Sequence, residues 1–280
     1  MLEFLPSFAS LLSYGSVSPA SKKAIGIMGR HRAIVYAYAA LILLLLTGVF
    51  ALGLDFWFPA ELLPVYIAQI TLGGLGAIAI YKALDHGKAS IVAPLAKTYV
   101  LLVLATSIIF LGEELSAGQV AGSLLIVASA VVLALGRVGK LRFEGWMVYL
   151  GLSVICRTYY YTYIKVFVSA LGPYMATFFL ELGVAAFVVA FHALRGRDIS
   201  PPPVAKIGFP ATAGLLIFFG SLLYSVSVGL IGAALTAAIS AGAPIVNAVA
   251  AYFMLGEKLD MQKYAATIMM VVGLVAILLL

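Results

Sequence analysis

The sequence is short of charge: charged residues make up 10% of its 280 positions, whereas a typical soluble domain has about 25%. It contains a single cysteine, Cys156, so it forms no intrachain disulfide and carries no cysteine-based zinc motif. Its three histidines (His31, His86 and His192) lack metal-ligand spacing, and no phosphate-binding glycine loop is present. These shortages exclude a soluble globule, a disulfide scaffold and an ATP-driven pump made of this chain alone.

Other signals are missing as well. The formal net charge is +6, but the basic residues are spread over short loops rather than gathered in a basic arm, so no nucleic-acid partner is expected. The N-terminus has no basic region before its first apolar run, which we therefore expect to be a retained span rather than a cleaved signal peptide. No nucleophile–base pair can be assembled, so an enzyme is the weaker hypothesis and no cofactor is expected.

Long apolar runs fill almost the whole chain. Hydrophobic residues make up 64% of it and the mean hydropathy is +1.14. An α-helix needs about 20 such residues to cross a bilayer, and the runs do not alternate polar and apolar residues as barrel strands do. The sequence predicts an all-α membrane protein with ten spans, at residues 3–21, 33–54, 61–83, 88–111, 116–136, 145–168, 172–194, 206–229, 232–255 and 260–280. The short link between spans 6 and 7, at 168/172, predicts that they are antiparallel neighbours.

The basic residues are distributed unevenly over the connections. The odd-numbered connections (1–2, 3–4, 5–6, 7–8 and 9–10) hold fourteen of them: Lys22, Lys23, Arg30, Arg32, Lys82, Lys88, Arg137, Lys140, Arg142, Arg195, Arg197, Lys206, Lys258 and Lys263. The even-numbered connections and both termini hold only Lys165. Basic loops remain in the cytoplasm. This bias predicts a multi-pass protein of the plasma (inner) membrane with both termini outside.

The chain also repeats a motif at about half its length. Residues 110–115 read Phe-Leu-Gly-Glu-Glu-Leu, and residues 254–259 read Met-Leu-Gly-Glu-Lys-Leu, 144 positions later. We expect two five-helix repeats, residues 1–139 and 140–280. Since five is odd, the second repeat must be inverted in the membrane. Inverted repeats are typical of secondary transporters, which bind substrate near the midplane between the halves.

Together with the pattern A-L-x-x-G-x-A-S-x-x-x-P-L at residues 83–95, this motif resembles the EamA-type repeat of the drug/metabolite transporter superfamily. The second half matches through residues 232–235, 241–245 and 255–259. The resemblance implies ten helices around a central cavity that works by alternating access without ATP. It also implies cytoplasmic termini, whereas the charge distribution predicts the reverse. Lys97 departs from the apolar or small residues that the resemblance leads one to expect there.

Three ionisable residues lie near the middle of predicted spans: Lys97, Arg157 and Glu181. Placing a charge there costs about 2.5–3.5 kcal/mol, so each must face a partner or a wet cavity. Arg157 and Glu181 lie on consecutive antiparallel spans and could form a structural ion pair. The three charges sum to +1, which favours an anionic or zwitterionic solute, and Glu181 would meet a substrate amine or couple a proton.

Aromatic and amide side chains supply weaker candidates. Tyr160 and Tyr161 follow Arg157 by three and four residues, so they share its helix face and are expected to line the cavity. Pro94 and Pro244 occupy roughly corresponding places in the two halves, and interrupted helices in such positions point to a binding site. The remaining candidate lining residues, each with core packing or an interhelical hydrogen bond as its alternative, are Gln69, Asn247, Tyr14, Tyr36 and Tyr224.

The leading hypothesis is a secondary transporter, and in direction an exporter, of a small anionic or zwitterionic metabolite such as an amino acid. The first alternative is a flippase for a lipid- or polyprenyl-linked phosphate headgroup. A structural membrane subunit is a third, although it would have no need of three midplane charges. Beyond the solute and membrane lipids no partner is indicated, and the sequence leaves the oligomeric state open.

Overall fold

The computed structural model describes residues 2–135, 144–255 and 261–279, and within these ranges all regular structure is helical. Short 3₁₀ turns occur at Leu2–Phe4, Ala60–Leu62 and Val204–Lys206. The α-helices are α1 (Leu5–Met28), α2 (Arg30–Ala51), α3 (Leu63–His86), α4 (Ala89–Ala96), α5 (Tyr99–Leu111), α6 (Ala117–Leu135), α7 (Gly145–Leu194), α8 (Gly208–Ser240), α9 (Ala243–Leu255) and α10 (Met261–Leu279).

Four helical stretches of the described chain are long and apolar enough to cross a membrane: Arg30–Ala51, Ala60–His86, Gly145–Leu194 and Gly208–Ser240. They confirm a multi-pass helical membrane protein. The number of spans, the inversion of the second repeat and the boundary between the repeats remain predictions. That boundary falls at residues 136–143, which lie outside the described ranges.

The helix α7 is a hairpin of two arms rather than one rod. Gly172 has φ 74° and ψ 162°, a conformation open to glycine, and Pro173 starts the second arm. Across this turn the Tyr160 hydroxyl lies 3.4 Å from a Glu181 carboxylate oxygen. A straight helix would hold residues 21 apart in sequence about 30 Å apart. Predicted spans 6 and 7 are therefore antiparallel neighbours, as expected.

The helix α8 folds back in the same way. Gly232 has φ 84° and ψ 170°, and the hydroxyls of Ser227 and Thr236 meet across it at 2.9 Å. The second arm, 233–240, then continues into α9 after a two-residue interruption at Ala241 and Gly242. Predicted span 9 is thus two helical pieces rather than one.

Predicted span 4 is interrupted too, because α4 ends at Ala96 and α5 begins at Tyr99. The break at Lys97 and Thr98 precedes the break at 241–242 by 144 residues, the spacing of the repeated motif. Pro94 precedes the first break by three residues, and Pro244 follows the second break by two. The side chain of Pro94 lies outside the described part.

The two halves of the chain are packed through one another. The most extensive contacts join α1 to α8, α3 to α7 and α6 to α10. The odd-numbered connections that the structure describes (1–2, 3–4 and 7–8) meet at one end of the bundle, hereafter the odd end, where Arg30 pairs with Asp85 at 2.6 Å and Arg32 pairs with Asp198. The even-numbered connections lie at the opposite end, the even end.

Candidate functional site

Helices of both halves enclose a cavity in the middle of the bundle. The space open to the centres of water molecules is about 110 Å³. Its walls come from α1, α2, α3, α4, α7, α8 and α9, and it lies beside both helix interruptions. The lining continues along α1 to Ser21 and along α3 to Leu84, so the cavity extends from the middle toward the odd end.

Two basic side chains face this cavity. Lys97 stands in the first interruption, with its ammonium nitrogen 5.7 Å from the ring centroids of Tyr14 and Tyr99. Within the described chain the Lys97 ammonium has no hydrogen bond and no carboxylate within 4.0 Å. Arg157 lies on the first arm of α7, where its stem passes Gly76; a Cβ there would lie 3.7 Å from Arg157 Cγ. Within the described ranges, neither cation has a carboxylate within 4.0 Å or a side-chain hydrogen bond.

The acid of the cavity is Glu181, on the second arm of α7 and 5% exposed. Its Oε1 accepts a 3.4 Å hydrogen bond from the Tyr160 hydroxyl. No basic nitrogen of residues 2–135, 144–255 or 261–279 lies within 4.0 Å of it, so the Arg157–Glu181 ion pair that the sequence allowed is not formed. The two charges share the cavity instead of neutralising one another.

The amide of Asn247 adds an uncharged polar group. Asn247 lines the cavity from α9 and is 2% exposed. Neither its oxygen nor its nitrogen has a hydrogen-bond partner in the part of the chain described. More than nine in ten buried polar groups are paired in native proteins, which makes this unpaired amide the clearest sign of a ligand-binding wall.

Tyrosine rings form the wall around the basic groups. The Tyr161 ring stacks on Tyr99 with centroids 4.9 Å apart and planes inclined by 13°. It also touches Tyr224 at 4.8 Å, and Tyr224 in turn meets Tyr14 edge-on at 6.4 Å. Tyr14, Tyr160 and Tyr161 line the cavity, as the sequence predicts. An aromatic wall of this kind suits a solute with an apolar part.

Three predicted lining residues lie elsewhere. The Gln69 amide donates a 2.6 Å hydrogen bond to the backbone carbonyl of Tyr160 and so ties α3 to α7. The Tyr36 hydroxyl donates to the carbonyl of Ile199 at the odd end. Tyr224 is fully buried behind Tyr161. Each of these side chains packs against or hydrogen-bonds to a neighbouring segment, which is the alternative that the sequence analysis gave to lining the cavity.

The sequence reasoning also missed lining residues. Tyr38 and Tyr81 face the cavity, and the Ser21 hydroxyl donates a 3.0 Å hydrogen bond to the Tyr81 hydroxyl. Tyr38 lies two residues after Tyr36, so it points about 200° away on the same helix, and choosing one tyrosine excluded the other. Which of the two tyrosines faces the cavity depends on the rotation of α2 about its own axis. The sequence does not indicate that rotation, because apolar residues are distributed almost evenly around the helix.

Comparison with known proteins gives a consistent result. The model of the EamA-like transporter family matches residues 3–135 and again residues 145–279. A protein of Methanocaldococcus jannaschii, described as the uncharacterized protein MJ1333.1, is 36% identical over 75 residues, 27% of this chain and 55% of that protein. The chain therefore matches about half the length of this relative. A solved crystal structure, with no function in its description, aligns with a TM-score of 0.77 at 20% identity, over 98% of this chain and 95% of that one. That likeness shows the shared fold.

Proposed function

This chain belongs to the EamA-like transporter family, and from that premise we propose that it carries a small anionic or zwitterionic organic solute across the membrane by alternating access. Membership establishes a membrane transporter of the drug/metabolite type. The charges and polar groups of the cavity support the substrate class that we propose.

The charge of the cavity supports an anion as the anchoring group. Lys97 and Arg157 against Glu181 give two positive charges and one negative, a net +1. The ammonium of Lys97 has no hydrogen-bond or carboxylate partner among the described residues, and the planar fork of Arg157 suits a bidentate carboxylate or phosphate. Glu181, with Tyr160 beside it, is placed to take an amine of the same solute. The Asn247 amide provides one donor and one acceptor more.

Alternating access is supported by the matched interruptions at 97–98 and 241–242. Broken helices at corresponding positions of two inverted halves expose backbone groups and mark the midplane site in secondary transporters. The direction we propose is export. The cavity extends toward the odd end, and the basic residues of the odd connections favour a cytoplasmic position for that end, from which the solute would load.

The test compares three compounds that share an isobutyl group: leucine, its deaminated acid 4-methylpentanoate and its decarboxylated amine isopentylamine. A ligand that binds only the folded protein at one hundred times its Kd raises stability by about 2.7 kcal/mol. We expect leucine and the acid to raise the melting temperature of the purified wild type, and the amine to leave it unchanged. Lys97→Ala should lose both responses, and Glu181→Gln should lose only the preference for leucine over the acid.

The matched control is Lys206→Ala, which removes an exposed lysine of the 7–8 connection. It should respond as the wild type does. Equal stabilisation of wild type and Lys97→Ala by the amine would refute the anion site. Stabilisation by phosphatidic acid alone, with no response to any soluble carboxylate, would refute the proposed solute class and would indicate that the substrate is a lipid-linked phosphate. Counterflow of radiolabelled ligand in proteoliposomes then separates transport from binding.

A further inference from the structure

The glutamate of the first repeated motif binds the start of a helix in the other half of the chain. Glu113 follows Gly112, whose φ of 64° ends α5, and its side chain is 7% exposed. Its two carboxylate oxygens accept hydrogen bonds from the backbone N–H groups of Ala233 and Ala234, each at 2.8 Å. These N–H groups open the second arm of α8, where a helix has unpaired donors and partial positive charge.

Two further observations make this a built contact. Lys165 of the first arm of α7 donates a 2.7 Å charged hydrogen bond to the same carboxylate. Gly232 leaves room for it, since a Cβ at that position would lie 2.8 Å from Glu113 Oε1. Glu113 thus joins three segments: the end of α5, the first arm of α7 and the hairpin turn of α8.

The contact lies at the even end, opposite the end toward which the cavity extends. The next layer inward is a chain of hydroxyls in which Ser7 of α1 bonds Ser227, and Ser227 meets Thr236 at 2.9 Å. These residues bring α1 and both arms of α8 together. In the described structure, polar contacts therefore join the two halves of the chain at the even end.

We propose that Glu113 and Lys165 form a latch that holds the even end closed and must open for the solute to leave on that side. The proposal rests on the transport function proposed above. Each contact bridges segments that alternating access would separate. Charged hydrogen bonds also provide a discrete closed state, since each is either made or lost.

The test measures the opening of each end in purified protein without any solute. In a Cys156→Ala background, single cysteines at Ser227 (even end) and at Ser21 (cavity, toward the odd end) are labelled with a polar maleimide. Glu113→Gln should raise the labelling rate at Ser227→Cys about tenfold. The reason is that weaker hydrogen bonds at residue 113 increase the fraction of molecules whose even end is open. It should lower the rate at Ser21→Cys, because opening one end closes the other.

Lys165→Gln should shift both rates in the same directions by a smaller factor, and it guards against misfolding of the glutamate variant. The matched control is Glu114→Gln, the same chemical change at the exposed neighbouring position, which should alter neither rate. Unchanged rates in Glu113→Gln would overturn the latch. Faster labelling at both reporters would also overturn it, since that indicates a loosened fold. Failure of the compound panel would refute the solute class while leaving these labelling results intact.

Discussion

Two glycines allow α6 and α10 to cross at backbone contact distance. A Cβ added at Gly122 would lie 2.6 Å from the carbonyl oxygen of Gly273, and one added at Gly273 would lie 2.7 Å from the carbonyl oxygen of Gly122. Real Cβ atoms do not approach an oxygen so closely, and a backbone carbonyl cannot rotate away as a flexible side chain can. Small residues at such crossings stabilise membrane helix pairs by letting their backbones meet.

Substituting Gly122→Ala should therefore push the two helices apart. Overpacking a close contact costs about 1–3 kcal/mol. Replacing glycine within a helix returns about 0.5–1 kcal/mol through helix propensity. The difference is a net loss of about 0–2.5 kcal/mol of unfolding free energy, with a midpoint of about 1 kcal/mol. Gly151→Ala is the matched control, because it lies in α7 with no atom within 4 Å of the added Cβ, and it should gain about 0.5–1 kcal/mol.

The measurement is SDS-induced unfolding of the purified protein in mixed micelles, followed by circular dichroism. The two variants should differ by about 2 kcal/mol, the sum of one loss and one gain. The double variant Gly122→Ala/Gly273→Ala should lose less than the sum of its parts, because both methyl groups strain one crossing. Equal stability of the Gly122 and Gly151 variants would refute the close crossing.

Two other predictions follow from particular hydroxyls and carboxylates. Tyr224→Phe should leave the unfolding free energy unchanged or slightly raised, because the buried Tyr224 hydroxyl has no partner in the described residues. Tyr66→Phe should lose about 1 kcal/mol, because it removes a 2.8 Å hydrogen bond to a backbone carbonyl. The same unfolding assay compares the two variants, and a larger loss for Tyr224→Phe would contradict this assignment. Hydrogen bonds from Ser200 and then Arg32 lower the pKa of Asp198 from 3.8 to about 2. A carboxyl whose pKa is lower in the folded than in the unfolded protein stabilises the fold at pH values above the unfolded pKa. The contribution of Asp198 to the unfolding free energy should therefore be lost as the pH falls from 3.8 toward 2. The unfolding free energy of Asp198→Asn, measured over the same pH range, should lack that loss.

The sequence predicted the parts of the molecule that depend on local composition. Apolar runs gave the helices, and Gly172 and Gly232 fell within or beside the predicted connections. Lys97, Arg157 and Glu181 all line one cavity, as their position in predicted spans suggests, because a charge inside a membrane requires polar groups or water around it.

What it could not predict depends on contacts across the whole chain. Glu113 caps a helix arm whose first N–H donor lies 120 residues later in the chain, and no local pattern reveals that contact. Tyr38 rather than Tyr36 faces the cavity because α8 and α7 fix the rotation of α2. The corresponding glutamate of the second motif, Glu257, lies outside the described residues.

The packing of α1 against α8 has a consequence for synthesis. The ribosome adds about 5–20 residues per second, and α8 begins 180 residues after α1 ends (28 to 208), so α1 waits roughly 9–36 s for its main partner. During that time the Ser10 hydroxyl, which in the finished protein donates a 2.8 Å bond to the carbonyl of Gly220, has no such acceptor. Membrane quality-control proteases would therefore meet an N-terminal half whose polar groups are still unsatisfied, and codon choice in the second half would set how long that exposure lasts.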